Sequence, residues 1–80
     1  MKVIVYSAEW CPWCHNVMEF LDEHKVKYEE RDVDVGNNGE EMARVSGQEG
    51  VPVTVVEEGK KKEVIVGFDV SKLKKALKIH

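Results

Sequence analysis

The stretch VIVYSAEWCPWC, residues 3–14, joins a β-branched apolar run to two cysteines at the start of a helix. The run Val3-Ile4-Val5 is short and unbroken, which is typical of a strand covered on both faces. Pro12 favours the first turn of a helix. After it comes an apolar stripe at helical spacing, formed by Cys14, Val17, Met18 and Leu21. The stretch therefore predicts a buried strand, a short loop and a helix that carries the cysteines.

Three further segments of the chain are predicted strands. The runs 53–56 and 64–66 are β-branched and unbroken like the first, and they are interpreted as covered on both faces. Segment 26–35 is dense in charge, which suits an edge strand because charge discourages pairing with other molecules. Gly59, between the last two runs, predicts a hairpin turn.

Two more helices are predicted from capping residues and periodicity. Asn38 followed by Glu41 resembles a capping box, so a short helix is expected to begin there. Asp69 is expected to cap the last helix, whose apolar stripe consists of Val70, Leu73, Ala76 and Leu77. The predicted order is β-α-β-α-β-β-α, an α/β fold with helices on both faces of the sheet.

The composition excludes several classes of protein. Eighty residues suit a single domain, residues 1–80, and 42% hydrophobic with 34% charged residues is a globular mixture. The formal net charge of -3 argues against nucleic acid as a main partner. No apolar run approaches the roughly 20 residues of a membrane span. No signal-peptide pattern opens the chain, so a cytoplasmic location is expected.

The two cysteines are better suited to chemistry than to architecture. A disulfide between Cys11 and Cys14 would close a four-residue loop and tether nothing distant. At the helix N-terminus, unpaired N–H groups favour a thiolate, so Cys11 is predicted to be an exposed nucleophile. Cys14 lies on the apolar stripe and is predicted to be buried and protonated. This asymmetry predicts thiol–disulfide exchange, in which Cys11 attacks and Cys14 resolves the mixed disulfide.

Metal or haem binding is the other known use of such a cysteine pair. A closed zinc site needs two further ligands, and a second cysteine pair is absent from the sequence. The motif is followed by His15, as in c-type haem attachment, but three β-branched runs do not suit a mostly helical cytochrome. No metal or cofactor is therefore expected beyond the Cys11–Cys14 disulfide. His15, four residues after Cys11, is a candidate for tuning the ionisation of its thiol.

Aromatic residues and a proline are candidate substrate contacts. Trp10 and Trp13 flank the cysteines at a predicted exposed turn, where aromatic side chains favour a docking surface. Pro52 precedes the third apolar run, and two interpretations of it stay open. It is an ordinary proline at the start of a strand, or a cis-proline facing Cys11, with Val51 offering its backbone to a substrate.

The whole pattern resembles the glutaredoxin-type members of the thioredoxin superfamily. The resemblance rests on the C-P-W-C motif at a helix start, Val51-Pro52 before the third strand and Gly67-Phe68 before the last helix, and it spans essentially all 80 residues. It implies a thioredoxin-like fold with a four-stranded mixed sheet in the order 2-1-3-4 and a cis Pro52. It also implies a protein-disulfide reductase, with Pro12, Gly67 and Phe68 among the substrate contacts.

The chain departs from the glutathione-dependent members of that family at three positions. Those proteins typically carry Lys or Arg three residues before the first cysteine, where this chain has Ala8. They usually read T-V-P, where this chain has Gly50 before Val51-Pro52, and they carry a double glycine where Val66 precedes Gly67. These departures place the dependence on glutathione in doubt.

Other features of the motif favour a protein electron donor. Cys14-His15 and Gly67-Phe68 are closer to the NrdH-type redoxins, which supply electrons to ribonucleotide reductase. Glutathione carries two carboxylates, and Glu9 and Glu49 would repel them. A thioredoxin-reductase-type flavoenzyme is therefore favoured over glutathione, with ribonucleotide reductase as one candidate substrate and a monomer as the expected state. The alternative is a dimeric iron–sulfur carrier.

Overall fold

A four-stranded mixed sheet with three helices forms the fold. The computed structural model describes residues 1–79. The elements are β1 (Lys2–Ser7), α1 (Pro12–Glu23), β2 (Glu29–Asp32), α2 (Asn38–Ser46), β3 (Val53–Glu58), β4 (Lys61–Val66) and α3 (Val70–Leu77). The strand order is β2-β1-β3-β4, with β1 parallel to β2 and the other two pairs antiparallel. The predicted element order and strand order are confirmed.

Alternation along β1 supplies the sheet with two apolar faces. Val3 and Val5 face α1 and α3, whereas Ile4 and Tyr6 face α2. The predicted stripe of α1 is buried except for Met18, which is half-buried; Phe20, missed by the sequence reasoning, is buried with it. The prediction of helices on both faces of the sheet is confirmed.

Two strand predictions need correction. The segment predicted as 26–35 forms a strand only at Glu29–Asp32, since β1 offers partners from Ile4 to Ser7. The run 64–66 was predicted to be covered on both faces, and this was wrong. Because β4 pairs only with β3, it is an edge strand, and Val66 is 49% exposed. The hairpin at Gly59 is confirmed, with φ of 60°.

One of the two predicted helix caps is present. Asp69 caps α3, accepting a hydrogen bond from Lys72 N at 3.1 Å, as expected. The capping box at Asn38 was wrong, because the N-cap of α2 is Asn37 and it makes no side-chain cap bond. Asn38 Nδ2 donates instead to Asp32 O at 2.9 Å, so this side chain ties α2 to the end of β2.

A charged cluster fastens α2 to the sheet. Tyr6 is almost fully buried, and its hydroxyl donates to Glu41 Oε1 at 2.7 Å. Arg31 on β2 pairs with the same Glu41 and with Glu29. The Glu41 carboxylate therefore joins its helix to both β1 and β2.

None of the helices within residues 1–79 has the length and apolar character to cross a membrane. The longest is α1, with 12 residues. At 1.5 Å per residue it would span about 18 Å, short of the roughly 30 Å hydrocarbon core of a bilayer.

Candidate active site

The two cysteines lie at the end of the sheet where the central strand β1 ends and its neighbour β3 begins. Cys11 is the N-cap residue of α1, with φ -100° and ψ 106°, and the helix begins at Pro12. The backbone N–H of Cys14 donates to Cys11 Sγ at 3.2 Å. Cys11 therefore occupies the position at which a helix N-terminus offers an unpaired donor, as the sequence predicted.

Cys11 is buried, which corrects the prediction of an exposed sulfur. Its exposed fraction is 4%, in a cluster with Ala8 and Cys14 against which Val33 and Val51 pack. Met18 of α1 and the loops on either side of α2 supply this cover. The loop after β2 carries Val33, and the loop before β3 carries Val51. No local feature of residues 8–14 indicates either contact, because both arise from loops remote in sequence.

Cys14 is fully buried, as predicted. This burial, together with the side-chain hydrogen bond to Cys11, raises the pKa of Cys14 to about 12. The thiol is therefore protonated at neutral pH. Both cysteines are free thiols in this structure, so the geometry describes the reduced dithiol.

Five predicted contact residues line one shallow groove beside the dithiol. Trp13, Val51, Pro52, Gly67 and Phe68 enclose about 320 Å³. The Val51–Pro52 bond is cis, which confirms what the resemblance implied. The N–H of Gly67 donates to Pro52 O at 2.9 Å and ties the end of β4 to the start of β3. The groove is lined entirely by uncharged residues, and 59% of Trp13 is exposed above it.

The remaining candidates lie elsewhere around the motif. Pro12 is exposed between the cysteines, and Trp10 is 70% exposed but does not line the groove. The indole Nε1 of Trp10 donates to Asp34 Oδ2 at 3.1 Å. The imidazole Nε2 of His15 lies 3.3 Å from the carbonyl oxygen of Glu9, so this ring hydrogen-bonds the loop rather than the Cys11 sulfur.

Val33 and Asp34 are two neighbours of the motif that sequence reasoning did not identify. The N–H of Val33 donates to Ser7 O at 2.9 Å and holds the chain after β2 against the end of β1. A signal was present in the predicted strand order. The carboxyl ends of two adjacent parallel strands lie at the same end of a sheet, so that order would have placed residues that follow β2 beside those that follow β1.

The fold and the dithiol at a helix N-terminus define a redoxin of thioredoxin-like fold. The glutaredoxin family model matches residues 3–60, and the chain belongs to the glutaredoxin family. It is 32% identical over 74 residues to an uncharacterised glutaredoxin-like 8.6 kDa protein in a rubredoxin operon of Clostridium pasteurianum, covering 91% of this chain and 93% of that protein.

Solved structures show the same fold. A point variant of the thioredoxin-like protein BC3987 superposes with a TM-score of 0.88 at 32% identity, covering 99% of this chain and 97% of that one. A glutaredoxin from Archaeoglobus fulgidus superposes with a TM-score of 0.77 at 29% identity, and the match covers 95% of this chain and 85% of that one. The thioredoxin-like fold predicted from the sequence is thereby confirmed.

Proposed function

We propose that this chain is a thiol–disulfide oxidoreductase that reduces protein disulfides through Cys11 and Cys14. The hydrogen bond from Cys14 N to Cys11 Sγ carries the proposal, because an N–H donor stabilises a thiolate at that sulfur. Next to it, the buried Cys14 thiol keeps its proton until it is needed. The two sulfurs thus differ in the way that nucleophilic attack and resolution require.

The proposed reaction consists of two exchanges. The Cys11 thiolate attacks one sulfur of the substrate disulfide, whose S–S bond breaks and releases a thiolate as the mixed disulfide forms. Cys14 then loses its proton to solvent and attacks the Cys11 sulfur. The mixed disulfide breaks, the second substrate thiolate leaves, and a Cys11–Cys14 disulfide remains. Two electrons pass to the substrate, and no further cofactor takes part.

The groove supplies the substrate contacts in this proposal. Trp13 and Phe68 offer apolar surface, and Val51 both lines the groove and packs against the cluster that holds Cys11. Because Cys11 has little exposed area, the residues that cover it have to move aside before a substrate disulfide reaches its sulfur. The proposed setting is the cytoplasm, where disulfides are kept reduced, with ribonucleotide reductase as one candidate substrate.

Single-cysteine variants test the proposed function. With a peptide disulfide as substrate, both Cys11→Ser and Cys14→Ser should lose turnover. Only Cys14→Ser should retain a trapped mixed disulfide, seen in the intact mass. An adduct on Cys11→Ser instead would reverse the assignment of the two sulfurs. A dimer with a visible absorption band after anaerobic purification would support the iron–sulfur alternative.

The proposed electron donor is a thioredoxin-reductase-type flavoenzyme rather than glutathione. Glu9 and Glu49 are both exposed on loops beside the motif and would repel the carboxylates of glutathione. NADPH consumption should be faster with micromolar flavoenzyme than with millimolar glutathione and its reductase. Faster turnover with glutathione would overturn this proposal. Glu9→Lys, at an exposed site, should improve the use of glutathione if charge is what limits it.

A further inference from the structure

The topology sorts the charges of the loops to the two ends of the sheet. Four loops meet at the end that holds the cysteines, namely residues 8–11, 33–37, 47–52 and 67–69. They contain no Lys or Arg, and their charged residues are Glu9, Asp34, Glu49 and Asp69.

The opposite end has the reverse sign. At that end lie the loops 24–28 and 59–60 and the residues that follow α3, 78–79. These segments contain no Asp or Glu. Their charged residues, leaving histidine aside, are Lys25, Lys27, Lys60 and Lys78. The loops are therefore sorted by charge between the two ends of the sheet.

Within residues 1–79, the four acidic residues of the loops at the cysteine end take part in none of the ion pairs. The ion pairs described for residues 1–79 join Arg31 to Glu29 and Glu41, and Lys62 and Lys78 to residues of β3. None includes Glu9, Asp34, Glu49 or Asp69. Two of those four are held in place by hydrogen bonds, Asp34 from the Trp10 indole and Asp69 from the first turn of α3.

We propose that the groove selects disulfides whose cysteines are flanked by Lys or Arg. This inference rests on the proposed function and names the class of substrate that the same site accepts. The residues that line the groove are uncharged, so selection by charge depends on the acidic residues of the loops at the same end of the sheet. Exposed charges of this kind steer association and act mainly on its rate, an effect that salt weakens.

The chemistry of exchange favours the same substrates. A cation beside a cysteine lowers the pKa of its thiol, and a sulfur of lower pKa is the better leaving group. A basic flank therefore helps a substrate twice, by bringing it to the acidic end of the sheet and by speeding the first exchange. The second effect belongs to the substrate alone, so a test has to separate the two.

Two matched cyclic peptides provide the probe. They share one disulfide and differ only in two flanking residues, Lys in one and Glu in the other. We expect kcat/KM for the Lys peptide to exceed that for the Glu peptide by about tenfold at roughly 20 mM salt, with most of the difference lost at about 300 mM. Reduction of both peptides by dithiothreitol measures the intrinsic reactivity of the two disulfides towards a thiolate, and the ratio is divided by it.

Charge-neutralising variants locate the effect. Asp34→Asn with Glu49→Gln should reduce the corrected ratio severalfold, and the amide oxygen introduced by Asp34→Asn can still accept the Trp10 hydrogen bond. The control is Asp22→Asn with Glu63→Gln, which changes the net charge equally at exposed sites. Asp22 lies beside the loop 24–28 at the opposite end of the sheet, so this variant should leave the ratio unchanged.

The outcomes separate this inference from the proposed function. If neither peptide is reduced by the unmodified protein, the proposed function fails. If both are reduced but the corrected ratio is near one or favours the Glu peptide, the function stands and the charge selection is wrong. An equal loss of the ratio in the control variant would show that net charge, rather than the acidic loops, is responsible, and would also overturn the inference.

Discussion

The two faces of the sheet are closed by different kinds of interaction. Among residues 1–79, the face covered by α1 and α3 buries ten apolar residues in one cluster. The face covered by α2 buries five and adds the bonds that join Glu41 to Tyr6 and Arg31. One face is therefore held by apolar burial, whereas the other depends in part on charge and hydrogen bonding.

The difference shows why the dithiol lies where it does. Cys14 belongs to the buried stripe of α1, alongside Val17 and Leu21, so its thiol is kept dry by the helix that packs most deeply. The α2 face contributes to the site only through the loops at its ends, which carry Val33 and Val51. A weaker attachment of α2 is therefore expected to loosen the cover of the cluster that holds the two cysteines.

The largest effect is expected from opening the apolar face. Leu73 of α3 is fully buried, and Leu73→Ala should lower the free energy of unfolding by about 2 to 5 kcal/mol, because it removes apolar contacts and leaves a cavity. Urea denaturation measures the change. The exposed neighbour Lys74→Ala is the control and should change stability by less than about 0.5 kcal/mol. Equal losses would contradict a core on this face.

The buried thiol is expected to make the reduced protein sensitive to alkali. The folded pKa of Cys14 is about 12 against an ordinary value of 9.0, so between these values the unfolded chain releases a proton that the folded one retains. Stability is then unaffected below pH 9 and falls as the pH rises above it, by about 2 kcal/mol at pH 10.5, at 1.36 kcal/mol per unit.

Cys14→Ser isolates this contribution from the other groups that titrate at high pH. Urea denaturation under reducing conditions, repeated from pH 8 to 10.5, should show a steeper decline for the unmodified protein than for the variant. Parallel curves for the two proteins would mean that the Cys14 thiol is not shielded as the structure indicates.

A smaller and salt-dependent effect is expected on the α2 face. Glu41→Gln removes the charge that Arg31 pairs with, while Gln can still accept from the Tyr6 hydroxyl. We expect a loss of about 1 kcal/mol at low salt, since the pair is only partly buried, and less at high salt. Glu40→Gln, exposed one residue earlier on α2, is the control. A loss that does not shrink with salt would place the contribution of Glu41 in packing instead.

The smallest effect is expected to have the opposite sign. Thr54 faces Val5 and Ile65 on the apolar face, and among residues 1–79 its hydroxyl is the buried side-chain polar atom found without a hydrogen-bond partner. Thr54→Val keeps the shape and removes that group, so thermal or urea unfolding should show a gain of about 1 kcal/mol. Thr54→Ser, which keeps the hydroxyl and loses a methyl, should be destabilising. A loss of stability in Thr54→Val would reveal a partner for the hydroxyl.

Much of the site was predictable because it depends on neighbours in sequence. Pro12 after Cys11 indicates a helix start, and the helical spacing of Cys14, Val17 and Leu21 indicates one buried face. These features place one sulfur at a helix N-terminus and the other in the core. The asymmetry of the two cysteines therefore follows from residues 11–21 alone. The cis Pro52 does not, since the residues by themselves left its conformation open until the family resemblance was considered.

The order of strands and helices along the chain also follows from the sequence, because periodicity and capping depend on residues that are close in sequence. Tertiary structure decided which remote segments meet. Val33 and Val51 come from loops on either side of α2. They pack against the cluster that holds Cys11, which is buried although its position at the helix start by itself predicts exposure. Likewise, the exposure of Val66 depends on β4 lying at the edge of the sheet. Local dihedral preferences carry no information about such contacts, since these arise only when the strands take their order in the sheet.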